Sequence, residues 1–191
     1  MKIKISTILA VSVLLGLIVA PGSALAQFNS SKNPAPIGSP VKDMVELGSV
    51  YSNIYDITIT VLETVRGNGA MVLLKKADSN VKQPSKGFEY ILAKVRFEMK
   101  ARAVSDKLTI NIGDSPLQWI ALTSELLEYT GISVTVPDPA LKGTVKPGEK
   151  LEGWVAFAVD KKDKGPIMVF DPDTGGATGR GKTVFFKLFK D

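Results

Sequence analysis

Two runs of residues constrain this chain more than anything else in it. Tyr55 to Val65 (YDITITVLETV) and Phe88 to Met99 (FEYILAKVRFEM) repeat with a period of two. In the first, Ile57, Ile59 and Val61 share one face, and Thr58, Thr60 and Leu62 share the other. In the second, Ile91, Ala93, Val95 and Phe97 face one way. Glu89, Lys94, Arg96 and Glu98 mark the wet side, and Tyr90 and Leu92 fit neither set cleanly. Successive side chains of an extended chain point to opposite sides, so each run predicts a half-buried strand. Shorter strand-like segments follow at Leu108–Ile112, Gln118–Leu122, Ile132–Val136, Leu151–Val159, Ile167–Phe170 and Thr183–Phe189. Turn residues divide them, at Gly113-Asp114, Pro137-Asp138-Pro139, Pro147-Gly148, Gly165-Pro166 and Gly175-Gly176. Many short strands without alternating long helices predict an all-β chain, an antiparallel sandwich. The strand order within 101–131 is left open by this pattern. Gly69–Ala77 (GAMVLLKKA) departs from it and predicts one short helix crossing between sheets, with Met71, Leu74 and Ala77 toward the core.

Leu151–Val159 is apolar on both faces: Trp154, Ala156 and Ala158 on one, Val155, Phe157 and Val159 on the other. That predicts a central strand with the core on one side and a cover on the other, for which Gly69–Ala77 is the obvious segment. Trp154→Ala would then cost about 3–5 kcal/mol.

The N-terminus has a different logic. Lys2 and Lys4 precede an apolar stretch from Ile5 to Ala20, Pro21-Gly22 ends it, and Ala24-Leu25-Ala26 supplies small residues. This order predicts a secretory signal peptide at 1–26, cleaved after Ala26, and no membrane span once it is removed. Residues 27–40 (QFNSSKNPAPIGSP) predict a flexible tether, leaving 41–191 as the domain. A lipid-modified cysteine is excluded, because the chain has none.

With no cysteine and no histidine, thiol catalysis, a Ser-His-Asp triad and histidine- or thiolate-based metal sites are excluded. The formal net charge of +5 includes the two leader lysines, and no basic cluster with a nucleic-acid motif accompanies it. Nucleic acid is therefore not expected as a partner. Gly176 to Thr183 fits the G-x-x-x-x-G-K-[ST] phosphate-loop pattern, but such a loop must open a helix. Val184 to Asp191 is strand-like and ends the sequence, so a turn is expected there and no nucleotide. Asp171 and Asp173 hint at a weak calcium loop, yet Gly175 and Lys182 stand where an EF-hand needs ligands. Ser79–Lys82 and Ser39–Lys42 both fit S-x-x-K, whose companion motifs are missing, and both read as surface loops. Trp119 follows a Ser-Pro turn and is expected to be partly exposed. Lys161–Lys164 reads as a solvated hairpin turn. No cofactor, metal ligand or catalytic residue is assigned.

Several segments together resemble a known family. They are Asn33-Pro-Ala-Pro-Ile-Gly38, Ile59 to Gly67, the short helix, Lys86 to Arg96, Val136-Pro-Asp-Pro139, Gly148 to Val159 and Gly165 to Phe170. The family consists of exported prokaryotic proteins of unknown function. Their domain is an immunoglobulin-like β-sandwich similar to the mycobacterial immunoprotective extracellular antigen. The resemblance implies that fold and an extracellular address, and no catalytic residues. The expected function is a secreted, non-enzymatic module binding a protein or polymer of the cell envelope. Two alternatives stand beside it: an exported hydrolase using carboxylates such as Asp106, Glu125 and Glu128, which would have to lie about 5–9.5 Å apart in a cleft, and an inhibitor of a secreted enzyme.

Overall fold

The computed structural model describes residues 29–48, 51–173 and 179–190. Its frame is set by the two long alternating runs. They form β2 (Asn53–Arg66) and β3 (Phe88–Ala101), which pair antiparallel from Tyr55–Ala101 to Arg66–Ile91 with a bulge at Leu62. Around them are β1 (Val41–Leu47), α1 (Asn68–Ala77), β4 (Ile110–Ile112), β5 (Trp119–Leu122), β6 (Gly143–Val145), β7 (Lys150–Asp160), β8 (Ile167–Phe170), β9 (Gly179–Gly181) and β10 (Val184–Lys187). One sheet has the order β7-β3-β2-β1-β9, a second β10-β8-β5, and β4 pairs with β6. The chain is thus an all-β, antiparallel, sandwich-like fold with one short helix. The segment 101–131, whose order the pattern left open, supplies β4 to the small pair and β5 to the three-stranded sheet.

The core follows from the alternation. Ile57, Ile59 and Val61 of β2, with Ile91, Ala93, Val95 and Phe97 of β3, point inward against Trp119 and Ala121 of β5, Met168 and Phe170 of β8, and Val184 and Phe186 of β10. Phe170 sits between the layers, its ring 5.7 Å from Phe97 and 4.7 Å from Trp119.

The outer face of the large sheet is divided. Its lower half carries Lys94, Arg96 and Glu98 and ion pairs such as Arg96–Glu152 at 2.7 Å. Its upper half is apolar. There Tyr90 and Leu92, the two residues that fitted neither set, join Ala70 and Leu74 of α1 in a second buried group, with Met71, Trp154, Ala156 and Ala158 packed against it. Ala77, expected toward the core, is exposed because it lies past the last inward turn of the helix.

Three expectations are corrected. The helix does not cross between sheets: it joins β2 to β3, neighbours in one sheet, and folds back over their outer face. β7 is not central. It ends the five-stranded sheet and is apolar on both faces because both are covered. Finally, residues 29–40 do not run free. Asn29 exchanges side-chain hydrogen bonds with the backbone of Phe185, Ala35 is buried and bonded to β10 through Phe185 and Lys187, and Gly38 N–H donates to Val61 O. Apolar Ala35 and Ile37 alternate with exposed neighbours along this stretch, and packing them on the core outweighs the mobility that Pro and Ser suggest.

Candidate binding cleft and an unpaired segment

The segment read as a strand at Ile132–Val136 has the right side-chain pattern and no ladder. From Thr130 to Asp138 the backbone makes no hydrogen bond with any described residue. Yet it runs without turn or bend to Pro137, with Ile132, Val134 and Val136 half-buried on the outer apolar group and Ser133 and Thr135 exposed.

Both ends of this segment are fixed. At the front, Tyr129 N–H donates to Ala121 O of β5. Before it, a turn closed by Thr123 holds Leu126 at φ 68°, a left-handed conformation that costs a leucine about 1–2 kcal/mol. That turn leaves Leu126 43% and Leu127 64% exposed. At the back, Trp154 N–H donates to Pro139 O and Leu141 N–H to Trp154 O, which straps the chain to the free edge of β7. The strap passes between two glycines. A β-carbon on Gly153 would overlap the Ala140 carbonyl and Leu141 nitrogen, and one on Gly113 would overlap the Leu141 oxygen.

Between the segment, β5 and β7 lies a cleft of about 420 Å³, lined by Leu117, Trp119, Tyr129, Val136, Trp154 and Phe157 among others. Trp119, expected to be partly exposed, is only 6% exposed, because as the first residue of β5 it turns onto Phe170. Its buried Nε1–H has no acceptor among the described residues. Trp154 is half-buried, with Lys94 Nζ 5.7 Å from its ring. Because the ring is only half-buried, Trp154→Ala should cost about 2 kcal/mol, the scale of a partly buried aromatic, and not the larger loss expected of a fully buried one. A urea midpoint that did not move would place the ring outside the packed layer.

Tyr129 anchors the segment chemically. Its hydroxyl donates to Asp163 Oδ2 at 2.7 Å, and the same carboxylate accepts the N–H groups of Ser124 and Gly165. Arg66 holds the turn from the other side, donating to the carbonyls of Asp160 and Asp163 and to Glu89 Oε1. Lys161–Lys164 is thus a turn, but its aspartate is tied in. Burial, followed by the bond to Asp163, pushes the Tyr129 hydroxyl up to about 12. Burial acts to raise the Asp163 carboxyl, but the hydrogen bonds from Tyr129, Gly165 and Ser124 outweigh it and hold it below its ordinary value.

The signs follow from linkage. The depressed Asp163 contributes stability above the ordinary carboxylate value near 4, and this is lost as pH falls through its folded value. The raised Tyr129 contributes below about 10, and this is lost as pH rises through about 12. Tyr129→Phe should cost about 1.5 kcal/mol at neutral pH. The gap between wild-type and variant urea midpoints should narrow above about pH 11. An equal gap at all pH values would refute the coupling.

The other residues singled out in the sequence fall away from the cleft. Asp171 Oδ1 accepts the Asp173 N–H and Asp173 Oδ1 the Gly181 N–H, as in an ordinary turn. Among the described residues no three carboxylates converge. In the phosphate-loop pattern, Gly176 to Thr178 lie outside the described residues. Gly179–Gly181 forms β9 against β1, and Lys182-Thr183 leads into β10 where a phosphate loop needs a helix. Ser79 and Lys82 are exposed in the loop after α1, while Ser39 and Lys42 sit just before and within β1. Of Asp106, Glu125 and Glu128, only Glu128 lines the cleft, and Asp106 caps its own turn at Ala103. Tyr129 carried no sequence signal, since its partner lies 34 residues away.

No described helix is long and apolar enough to cross a membrane. No family model matches the sequence, and neither does any curated protein. Among solved structures the chain is similar to a candidate lipoprotein, YcdA, of Bacillus subtilis subsp. subtilis str. 168, with 18% identity and a TM-score of 0.45. The match covers 70% of this chain and 36% of that one, so it spans about a third of the longer protein.

Proposed function

We propose that this chain is exported, is cleaved after Ala26, and acts as a non-enzymatic module of the immunoglobulin-like kind that binds a protein at the cell surface. The observation that carries the binding reading is the uncharged, unpaired stretch from Thr130 to Pro137, fixed at both ends beside a cleft with two tryptophans. Leu117, 53% exposed, rims that cleft, and Leu126 and Leu127 stand in the turn that leads to it. Apolar side chains gathered around unsatisfied backbone are typical of an interaction surface. The missing cysteine and histidine and the scattered carboxylates support a role without catalysis. A second reading, a polymer ligand, is favoured by the half-exposed Trp154, whose ring could stack on a sugar.

Amide exchange of the chain tests this, with and without cell-envelope extract. Protection at residues 131–136 that protease treatment of the extract removes supports a protein partner. Protection that survives protease and is lost after periodate oxidation favours the polymer. Protection confined to other strands would overturn the assignment of the site. Mass analysis of protein from the medium should find a chain starting at Gln27, and full-length protein held in the cytoplasm would refute export.

A further inference from the structure

We infer that the cleft between the Thr130–Val136 segment, β5 and β7 takes up a small, uncharged, largely apolar molecule whose carbonyl-type oxygen accepts the Trp119 Nε1–H. The inference goes beyond the protein-binding reading above, because it concerns a ligand held within the cleft and not a partner laid across it.

The first observation is the orphan donor. Trp119 is 6% exposed, and its buried Nε1–H has no acceptor among the described residues. Leaving a buried donor unpaired is costly, and nearly all such groups in folded proteins have a partner. Trp119 belongs both to the core, where its ring lies 4.7 Å from Phe170, and to the wall of the cleft. The core behind it supplies no acceptor, so the cleft is the side from which one can come.

The second observation is the chemistry of the lining. Ile120, Val134, Val136, Val155 and Phe157 give the cleft apolar walls. None of its described lining residues is basic, and Glu128, which is exposed, is the one carboxylate. The Tyr129 hydroxyl is already spent on Asp163. An anion entering here would lose its hydration without meeting a counter-ion, and a cation has no lone pair for the indole N–H. A pure hydrocarbon would leave the donor unpaired. A neutral apolar body with one acceptor satisfies all of these conditions. The volume of about 420 Å³ falls within the range of small-molecule sites, about 300–1,000 Å³.

The third observation concerns entry. The indole nitrogen is closed to water, so an acceptor on a flat partner surface does not reach it. The ligand has to come inside, and one wall is suited to yielding. From Thr130 to Asp138 the backbone makes no hydrogen bond with any described residue, so displacing it breaks no ladder.

Three probes of similar shape test this on the full chain. They are acetophenone, α-methylstyrene, in which a methylene replaces the oxygen, and benzoate, which carries a charge. Binding is read from the amide and indole N–H signals of isotope-labelled protein by NMR. Acetophenone should shift the Trp119 indole N–H and the amides of Gly131, Val134 and Val136. It should bind about tenfold tighter than α-methylstyrene, the worth of one neutral hydrogen bond. Benzoate should bind more weakly than acetophenone. Trp119→Phe removes the donor and keeps an aromatic ring, so acetophenone and α-methylstyrene should then bind alike, whereas Trp154→Phe should leave the preference in place. Equal binding of the two on the wild-type chain would overturn the assignment of the donor, and that comparison needs no variant to fold. A long-lived water on the indole N–H that acetophenone does not displace would do the same. Benzoate bound as tightly as acetophenone would overturn the uncharged class. Signals of the cleft residues that no probe moves would overturn the site. Protection of the segment by envelope extract is measured without these probes, so either result can fail alone.

Discussion

Phe170→Ala should lower the unfolding free energy by about 3–5 kcal/mol, the range for deleting a fully buried aromatic ring. Phe170 is 0% exposed and is the side chain through which the two sheets meet, touching Phe97 of the large sheet and Trp119 of the small one. Aromatic pairs add about 0.5–1.5 kcal/mol each beyond buried area, so the loss should lie toward the upper end. A domain's total stability is only about 5–15 kcal/mol, and no disulfide supplements it here. Urea unfolding followed by tryptophan emission reads the effect, and Trp119 should also gain mobility once its stacking partner is gone. A loss under about 1 kcal/mol would mean that the layers are not joined at this ring.

Gly153→Ala should cost about 3 kcal/mol, at the upper end of overpacking. The added carbon meets backbone, not the end of a flexible side chain, so the Ala140–Leu141 strap has to leave β7. Leaving breaks the two hydrogen bonds with Trp154 that fix the rear of the Thr130–Asp138 segment. The variant should therefore show faster amide exchange at Leu141 and Trp154 before global unfolding, together with weakened binding of any partner held by the segment. A variant as stable as wild type, with Leu141 still protected, would show that the strap can shift sideways at little cost.

Much of this architecture was legible from residue order, and where legibility stopped has a physical reason. Alternation in β2 and β3 reports which face is buried, and the inner faces came out as read. Tyr90 and Leu92 resisted assignment because the outer face of β3 is itself half covered, a fact that belongs to α1 and not to the strand. The three-residue strands β6 and β9 are too short to show any period. Ile132–Val136 is the instructive case: alternation records burial of one side, whereas a ladder needs a neighbour, and the two signals are independent. Trp119 was misplaced because a Ser-Pro turn describes the residues before it, while the ring is set by Phe170, 51 positions on. For the cleft, both tryptophans were visible in the sequence, but Tyr129, Asp163 and the strap come together only in three dimensions.

The two-glycine passage around Ala140–Leu141 has a consequence for how this protein can vary. At Gly113 and Gly153 the smallest possible side-chain addition strikes main chain, so a saturation scan scored for folding alone should find both positions intolerant. Between them, Gly131, Ser133 and Thr135 touch nothing that folding requires, and the same scan should be nearly flat there. Any constraint that natural variants or functional selections reveal at those three positions must then come from outside the molecule. The map of tolerated substitutions would separate what holds the chain together from what the chain holds.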